Sequence, residues 1–234
     1  MQLLFKSFNL LFRYKIFFIY VPLYNLYKNI FECREIQKFK TSIKPGDIVI
    51  DAGANIGFFT ILFAKLVGSA GRVIAFEPDL QNFSLLKSRA SNYKNISLIN
   101  AALSDSAGIL DLYLSLDLNV DHRTYDSGEN REKISVTSFK LDDYLQDNKI
   151  AKVDFIKTDL QGYDPIAIRG MKKTIANTKK LTIHAEFWPW GIIKTGESPT
   201  AWLKELSAMG LKTDYSYRGQ DNESYYTSIL LEKA

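Results

Sequence analysis

Short apolar runs, four of which end in an acidic residue, alternate with amphipathic segments along most of this 234-residue chain. The apolar runs have the length of buried strands, and the segments between them repeat apolar residues every three to four positions, as helices do. Strands joined by helices run parallel, so the alternation predicts an α/β fold with helices on both faces of the sheet. The acidic residues that end four of the runs are Asp51, Glu77, Asp159 and Glu186.

These four acidic residues are expected at one edge of the sheet, because the carboxyl ends of parallel strands lie together. Open parallel sheets bind ligands outside this edge, where the strand order reverses. Carboxylates are costly to remove from water, so four of them together indicate a polar or cationic ligand. The alternative is that polar residues simply resume after each strand. This explains any one of the acidic residues, but it explains four at one edge less well.

The turn after the first strand narrows the choice of ligand. It contains Gly53, Asn55 and Gly57 and leads into a helix, whose first N–H groups favour a negatively charged group. Dinucleotide-binding turns have a glycine where this chain has Asn55, because a pyrophosphate needs close approach to the backbone. Asparagine tolerates a left-handed backbone, so the turn can still form. A nicotinamide-dependent oxidoreductase is therefore disfavoured.

Two of the acidic residues indicate which groups the ligand carries. Glu77 lies twenty positions after Gly57, which is the spacing at which an acid accepts hydrogen bonds from ribose hydroxyls in nucleotide-binding folds. Asp51 directly precedes the turn and would repel a pyrophosphate but attract an ammonium group. A ligand with an amine, a carboxylate and a ribose fits this pattern, and S-adenosylmethionine has all three.

Four segments then resemble, in order and spacing, the FkbM-type S-adenosylmethionine-dependent methyltransferases. They are VIDAGANIGFFT, RVIAFEPD, VDFIKTDLQGYDPIAIRGM and HAEFWPW, and the resemblance runs from about Lys44 to about Trp190. It implies a Rossmann-like class I methyltransferase fold, with a seven-stranded, mostly parallel sheet whose last strand is antiparallel. It also implies methyl transfer, most often to oxygen, with a small molecule or a glycan as the acceptor.

The resemblance also implies roles for individual residues. The first loop would bind the methionine moiety, and Glu77 would hold the ribose. The segment after the third strand would lie near the adenine, and Asp159 would lie beside the methyl group and the acceptor. The residues implied for cofactor binding are Asp51, Gly53, Asn55, Gly57, Glu77, Asn100, Ala101 and Asp159.

The segment after Asp159 departs from the family pattern. The family often has Glu-Gly-x-Glu there, whereas this chain has Gln161 and Asp164 at the two acidic positions. The change weakens a metal-binding or basic role for these positions, so no metal site is predicted, although Asp159, Asp164 and Glu186 carry suitable oxygen atoms. It also leaves open a non-catalytic module that keeps the fold and the cofactor.

A polar loop between the third strand and Asp159 supplies two further catalytic candidates. His122 is suited to act as a general base near neutral pH, and Arg123 is suited to bind a carboxylate or phosphate. The alternative is a solvated surface loop. Our ranking for the base is His122 first and Asp159 second.

The first 42 residues form a basic, aromatic segment that precedes a methyltransferase domain predicted over 43–234. Residues 1–40 carry a net charge of +5, whereas the whole chain carries +4. The rest of the chain is therefore nearly neutral, which disfavours nucleic-acid binding. We favour helices that pack on the body, and the alternative is an interfacial helix on an anionic membrane through residues 1–31. The single cysteine, Cys33, is consistent with a reducing, cytoplasmic location.

Overall fold

The computed structural model describes residues 11–12, 15–115 and 119–233. Residues 1–10 and 13–14 of the predicted amino-terminal segment lie outside this part of the chain. The strands are β1 Ile48–Ala52, β2 Arg72–Phe76, β3 Ile96–Ile99, β4 Ala102–Leu103, β5 Gly108–Leu114, β6 Glu132–Phe139, β7 Phe155–Thr158, β8 Thr182–Phe187, β9 Leu211–Lys212 and β10 Thr227–Lys233. The helices with described bounds are α1 Phe17–Phe31, α2 Cys33–Ser42, α3 Phe58–Val67, α4 Leu80–Ala90, α5 Leu141–Asp147, α6 Asp164–Arg169, α7 Lys172–Asn177, α8 Pro189–Lys194 and α9 Pro199–Ala208.

Seven of these strands form one sheet in the order β3-β2-β1-β7-β8-β10-β9. The strands from β3 to β8 run parallel, and β10 runs antiparallel to both of its neighbours. The predicted seven-stranded, mostly parallel sheet is therefore confirmed. The order reverses between β1 and β7, and this is where an open parallel sheet has its ligand crevice.

The central strands are apolar on both faces because helices cover both sides of the sheet. In β1, Val49 packs with one layer of buried residues and Ile50 with the other, as alternation along a strand requires. The capping residues match the helix starts. Asp79 accepts the N–H of Asn82 at the start of α4, and Ser198 accepts that of Ala201 at the start of α9.

A second, smaller sheet of order β4-β6-β5 follows the main sheet strand β3. Strands β5 and β6 pair antiparallel over their length, and the polar loop between them returns to β5 through a bridge between Tyr113 and Arg123. Residues 116–118 of this loop lie outside the described part of the chain. The bridge holds the loop over the end of the main sheet that carries the acidic residues.

The amino-terminal helices pack on the sheet domain. Phe39 of α2 is 1% exposed, and its ring lies 5.1 Å from those of Phe59 and Phe63 and 5.8 Å from that of Phe155. In α1, Tyr20 and Tyr24 form a buried cluster with Ile56 and Leu85 of the sheet domain. The division of the chain at residue 42 stays a prediction, but α2 contributes to the same core as β1 and β7.

We expect Phe39→Ala to lower the free energy of unfolding by about 3–5 kcal/mol, because it leaves a cavity among three aromatic rings. Phe18→Ala is the matched control. Phe18 is 80% exposed, so its loss should change stability by about 0.5 kcal/mol or less. Urea denaturation of both variants measures the difference. Equal effects would show that α2 is not part of the cooperative core.

Candidate functional site

A cavity lies at the carboxyl ends of β1, β2 and β7, where the strand order reverses. Its walls come from the turn after β1, the segment after β2, the segment after β7, helix α1 and the polar loop. The predicted meeting of acidic residues at one edge therefore produces a cleft. Residues 101–103, Leu112 and the first turns of α3 and α4 complete the lining.

The turn after β1 has a left-handed backbone at three positions. Gly53, Asn55 and Gly57 have φ angles of +76°, +50° and +85°, so Asn55 adopts the conformation that the sequence predicts for it. A Cβ atom on Gly53 would lie 2.3 Å from the carbonyl oxygen of Asp159, and one on Gly57 would lie 2.4 Å from Cδ1 of Leu86. Only glycine fits these two positions without movement of the neighbouring segments.

The side chain of Asn55 stabilises the turn and joins it to the polar loop. Its Oδ1 accepts the N–H of Ile56 at 2.7 Å, and its Nδ2 donates to the carbonyl oxygen of Asn119 at 2.8 Å. Asn82 of α4 donates to the same carbonyl oxygen at 2.9 Å. The asparagine therefore takes the place of a glycine and also fixes the loop that covers the cavity.

Glu77, directly after β2, is a buried carboxylate held by backbone groups. Its Oε2 accepts the N–H of Asn55 at 2.7 Å, and its Oε1 accepts the N–H of Asp79 at 3.0 Å. Burial raises the pKa of Glu77 to about 8, although these two hydrogen bonds oppose the shift. Asn100 does not line the cavity. It donates to the carbonyl oxygens of Glu77 and Pro78 and so shapes this turn.

Asp51 lies beneath the turn in a buried group of charges. It is fully buried, accepts a hydrogen bond from Thr60 at 2.6 Å, and lies 3.5 Å from Nζ of Lys157. The same Nζ donates to the carbonyl oxygen of Gly53 at 3.1 Å and lies 3.6 Å from Oδ2 of Asp159. The ammonium group beside Asp51 therefore belongs to this chain.

Asp159 is the member of that group that lines the cavity. Burial acts to raise its pKa, but the neighbouring Lys157 and then Lys28 outweigh this, so the pKa of Asp159 lies below its usual value. Asp159 is therefore ionised at neutral pH. The cavity has a fixed negative charge at this point.

Two other carboxylates lie behind Asp159. Gln161, in a left-handed conformation, donates from Nε2 to Asp159 at 3.1 Å and to Glu186 at 3.4 Å. Burial raises the pKa of Asp164 to about 7 and that of Glu186 well above its usual value. Among the described residues, no group of three His, Cys, Asp or Glu side chains is arranged to hold a metal ion.

His122 lines the cavity on the side of Glu77. Its Nδ1 accepts the N–H of Ser115 at 3.1 Å, and its Nε2 lies 4.0 Å from Oδ1 of Asp79. Burial lowers the pKa of His122 more than Asp79 and Asp121 raise it. The ring is therefore neutral near pH 7, with its proton on Nε2. To accept a second proton on Nδ1, it must release Ser115.

Arg123 lies outside the cavity lining, in a network that anchors the polar loop. Its guanidinium contacts Asp121 at 2.8 Å and Glu223 at 3.4 Å, and stacks 5.1 Å and 5.2 Å from the rings of Trp188 and Trp190. Its charge is thus engaged by protein carboxylates, and it joins the polar loop to the segment after β8.

The predicted site residues divide into two groups. Gly53, Asn55, Glu77, Ala101, His122 and Asp159 line the cavity. Asp51, Gly57, Asn100 and Arg123 lie outside the lining and support it through the contacts above. Sequence reasoning missed Tyr24 and Lys28 of α1, which also line the cavity. The available signal was Lys28, the one charged residue between Phe17 and Phe31.

Comparison with known proteins gives matches that cover most of the chain. Residues 51–217 match the family described as the methyltransferase FkbM domain. The chain is 27% identical over 177 residues to the 31-O-demethyl-FK506 methyltransferase FkbM of Streptomyces tacrolimicus, covering 63% of this chain and 68% of that protein. It is 27% identical over 152 residues to the 2-O-methyltransferase NoeI of Sinorhizobium fredii, covering 58% of this chain and 62% of that protein.

The fold is also similar to those of solved methyltransferases. A proposed methyltransferase from Streptococcus mutans, solved in complex with SAH, superposes with a TM-score of 0.51 at 14% sequence identity. The match covers 86% of this chain and 96% of that one. At this identity the likeness supports the fold.

Proposed function

The chain belongs to the FkbM methyltransferase family, and we propose on this basis that it transfers a methyl group from S-adenosylmethionine to a hydroxyl oxygen of a small molecule or a glycan. The names of both relatives put the methyl group on oxygen. In this chain, the observation that carries the proposal is Glu77. It is a buried carboxylate, fixed by two backbone N–H groups in the cavity wall beside the left-handed turn.

The chemistry of the cavity supports this cofactor. Glu77 offers carboxylate oxygens to the two ribose hydroxyls, and Ala101, which lines the cavity just after β3, lies where the adenine is expected. Asn100 supports this end of the cavity through its hydrogen bonds to the carbonyl oxygens of Glu77 and Pro78. The turn of Gly53, Asn55 and Gly57 is proposed to lie along the methionine moiety, because Gly53 and Asn55 line the cavity. The lack of a Cβ atom at Gly53 lets the backbone of Asp159 approach this turn closely. Asp51 supports this turn from below, through Thr60 and Lys157.

Bound S-adenosylmethionine supplies a methyl group activated on a sulfonium. The chain has to align the acceptor oxygen with that methyl group and to take up the acceptor's proton. Asp159 is the group we propose for this proton, because it is ionised and lines the cavity. His122 stays a prediction as a base, and its use requires that the hydrogen bond from Ser115 to Nδ1 breaks.

The acceptor is proposed to approach between the polar loop and the segment after β8. Trp190 lies there half-buried, and the buried rings of Trp188 and Tyr125 pack against it, with centroids 5.1 Å and 6.3 Å from its own. Aromatic side chains of this kind bind sugar rings and apolar ring systems. Arg123 positions these rings by stacking on them. A nucleic-acid acceptor is not proposed, because the body of the chain is nearly neutral.

We also propose that α1 contacts an anionic membrane surface of the cytoplasm. The sole charged residue of this helix, Lys28, turns inward with 13% of its side chain exposed. Exposed basic residues, Lys15, Arg34 and Lys38, flank the helix at its two ends. The outward face carries exposed apolar side chains at Phe18, Ile19, Leu23, Leu26, Ile30 and Phe31.

An apolar face without charge, bordered by basic residues, is typical of helices that lie in the membrane interface. Among the described residues, no helix is long and apolar enough to cross a bilayer. The contact that we propose is therefore peripheral. It uses the face of α1 opposite to the one that packs on the sheet domain.

Cofactor binding is expected to strengthen as the pH rises. Ionised Glu77 accepts hydrogen bonds from ribose hydroxyls better than the neutral acid, and its pKa is about 8. The affinity for S-adenosylhomocysteine should therefore increase several-fold between about pH 6.5 and about pH 9. Glu77→Gln should bind more weakly and lose most of this dependence, whereas Glu232→Gln, an exposed control, should behave as wild type. Titration calorimetry measures the affinity of wild type and of both variants across this pH range. Binding of NAD in place of S-adenosylhomocysteine would contradict the proposal.

The two candidate bases are separated by their variants. An acceptor is first found by screening hydroxyl-bearing glycosides and macrocycles. On that acceptor, Asp159→Asn should lower turnover by about 100-fold or more, because a general base is lost. His122→Ala should also lower turnover if it acts as a base, with unchanged affinity for S-adenosylhomocysteine. Full turnover of His122→Ala removes that residue from the mechanism, and full turnover of Asp159→Asn removes Asp159.

Membrane contact is tested by flotation of the full chain with vesicles rich in phosphatidylserine and with vesicles of phosphatidylcholine alone. We expect binding to the first kind, and its loss in the double variant Leu26→Glu, Ile30→Glu, because both side chains lie on the outward face. Ile109→Glu, at a 72% exposed position on β5, is the matched control and should still bind. Failure to float, or a change of oligomeric state in the double variant, would assign this face to another partner.

A further inference from the structure

Helix α1 forms part of the cavity wall although it lies outside the range that matches the family. The match begins at residue 51, whereas Tyr24 and Lys28 of α1 line the cavity together with Phe59, Lys157 and Asp159. Tyr24 is buried, and its ring packs edge-on against that of Phe58 at 6.4 Å. The helix is therefore fixed in place, and Lys28 one turn later is held at the cavity.

Two lysines lie close to the same aromatic ring at this end of the cavity. Nζ of Lys28 is 5.1 Å from the centroid of Phe59, and Nζ of Lys157 is 5.5 Å from it. Both lysines lower the pKa of Asp159, so both ammonium groups are within electrostatic range of that carboxylate. Positive and negative groups thus meet beside the turn at Gly53.

The two lysines differ in how their charge is balanced. Lys157 is shared between Asp51, Asp159 and the carbonyl oxygen of Gly53, all of them fixed by the sheet. Lys28 is paired with Glu32, on the next turn of its own helix, and that carboxylate is 27% exposed. Glu32 keeps partial access to water, which can solvate its carboxylate when the pair opens. Lys28 can therefore exchange Glu32 for an anionic ligand that supplies an equivalent ion pair.

We propose that Lys28 binds the α-carboxylate of the cofactor's amino-acid end. The inference rests on the proposed function and extends it to a residue outside the family domain. The α-carboxylate is the negative charge of that end, and Lys28 is an exchangeable cation beside the turn that we assign to it. The amino-terminal helix is thus part of the cofactor site rather than an appendage.

The test compares two ligands that differ in the amino-acid end. S-adenosylhomocysteine carries the carboxylate, whereas methylthioadenosine keeps the adenosine and the thioether but lacks the amino acid. By titration calorimetry on the full chain, we expect Lys28→Met to weaken S-adenosylhomocysteine about tenfold or more, the effect of losing a hydrogen bond between charged groups. Binding of methylthioadenosine should change less than about twofold, and Lys28→Arg should restore most of the affinity.

Two controls keep the outcome clear. Lys133→Met removes a lysine whose side chain is 54% exposed and should leave both affinities unchanged. The unfolding temperature of each variant shows that it is folded. If wild type binds neither ligand, the proposed function fails. If wild type binds and Lys28→Met weakens both ligands equally, or neither, then Lys28 does not bind the carboxylate and the inference is overturned.

Discussion

The site depends on the ion pairs that the buried ammonium group of Lys157 forms with Asp51 and Asp159. This group lies where β1 and β7 pair, and the register sets Lys157 opposite Asp51. Taking a lysine and two carboxylates out of water is costly, and the cost is offset only when the charges are close and their remaining hydrogen bonds are made. Here Thr60, Gly53 and Gln161 make most of those bonds, and Oδ1 of Asp51 has the ion pair with Lys157 in place of a hydrogen bond. The cluster thereby fixes the base of the turn and keeps Asp159 ionised at the cavity.

A chain of hydrogen bonds then covers the cavity. Tyr20 of α1 donates to Asn119 of the polar loop at 2.7 Å, and Asn119 accepts in turn from Asn55 and Asn82 through its carbonyl oxygen. The amino-terminal helix, the polar loop, the glycine turn and α4 are therefore joined through one residue. Together they give the cavity defined walls.

Much of this arrangement could be predicted from the sequence because it depends on local rules. Alternating strands and helices predict the sheet, strand ends carry the acidic residues to one edge, and the spacing of Glu77 from Gly57 predicts its place in the cavity wall. The left-handed conformation of Asn55 follows from its place between two glycines. These features need only the neighbouring residues in the chain.

What the sequence did not predict depends on how distant segments pack. The pairing of Asp51 with Lys157 depends on the register between β1 and β7, which a single sequence does not reveal. Which nitrogen of His122 carries the proton depends on the backbone N–H of Ser115. Whether Lys28 lies at the cavity depends on which face of α1 packs on the sheet domain. Arg123 has the chemistry of an anion-binding residue, but Asp121 and Glu223 engage it from positions 2 and 100 residues away.

The cross-strand pair of Asp51 and Lys157 also limits how this chain can diverge. A substitution at either position alone leaves a charge stranded in the protein interior, so evolutionary change must pass through both positions together. Relatives that keep the acid but lack the lysine need another cation at that point. In an alignment of such sequences, positions 51 and 157 should therefore covary, even though 106 positions separate them in the chain.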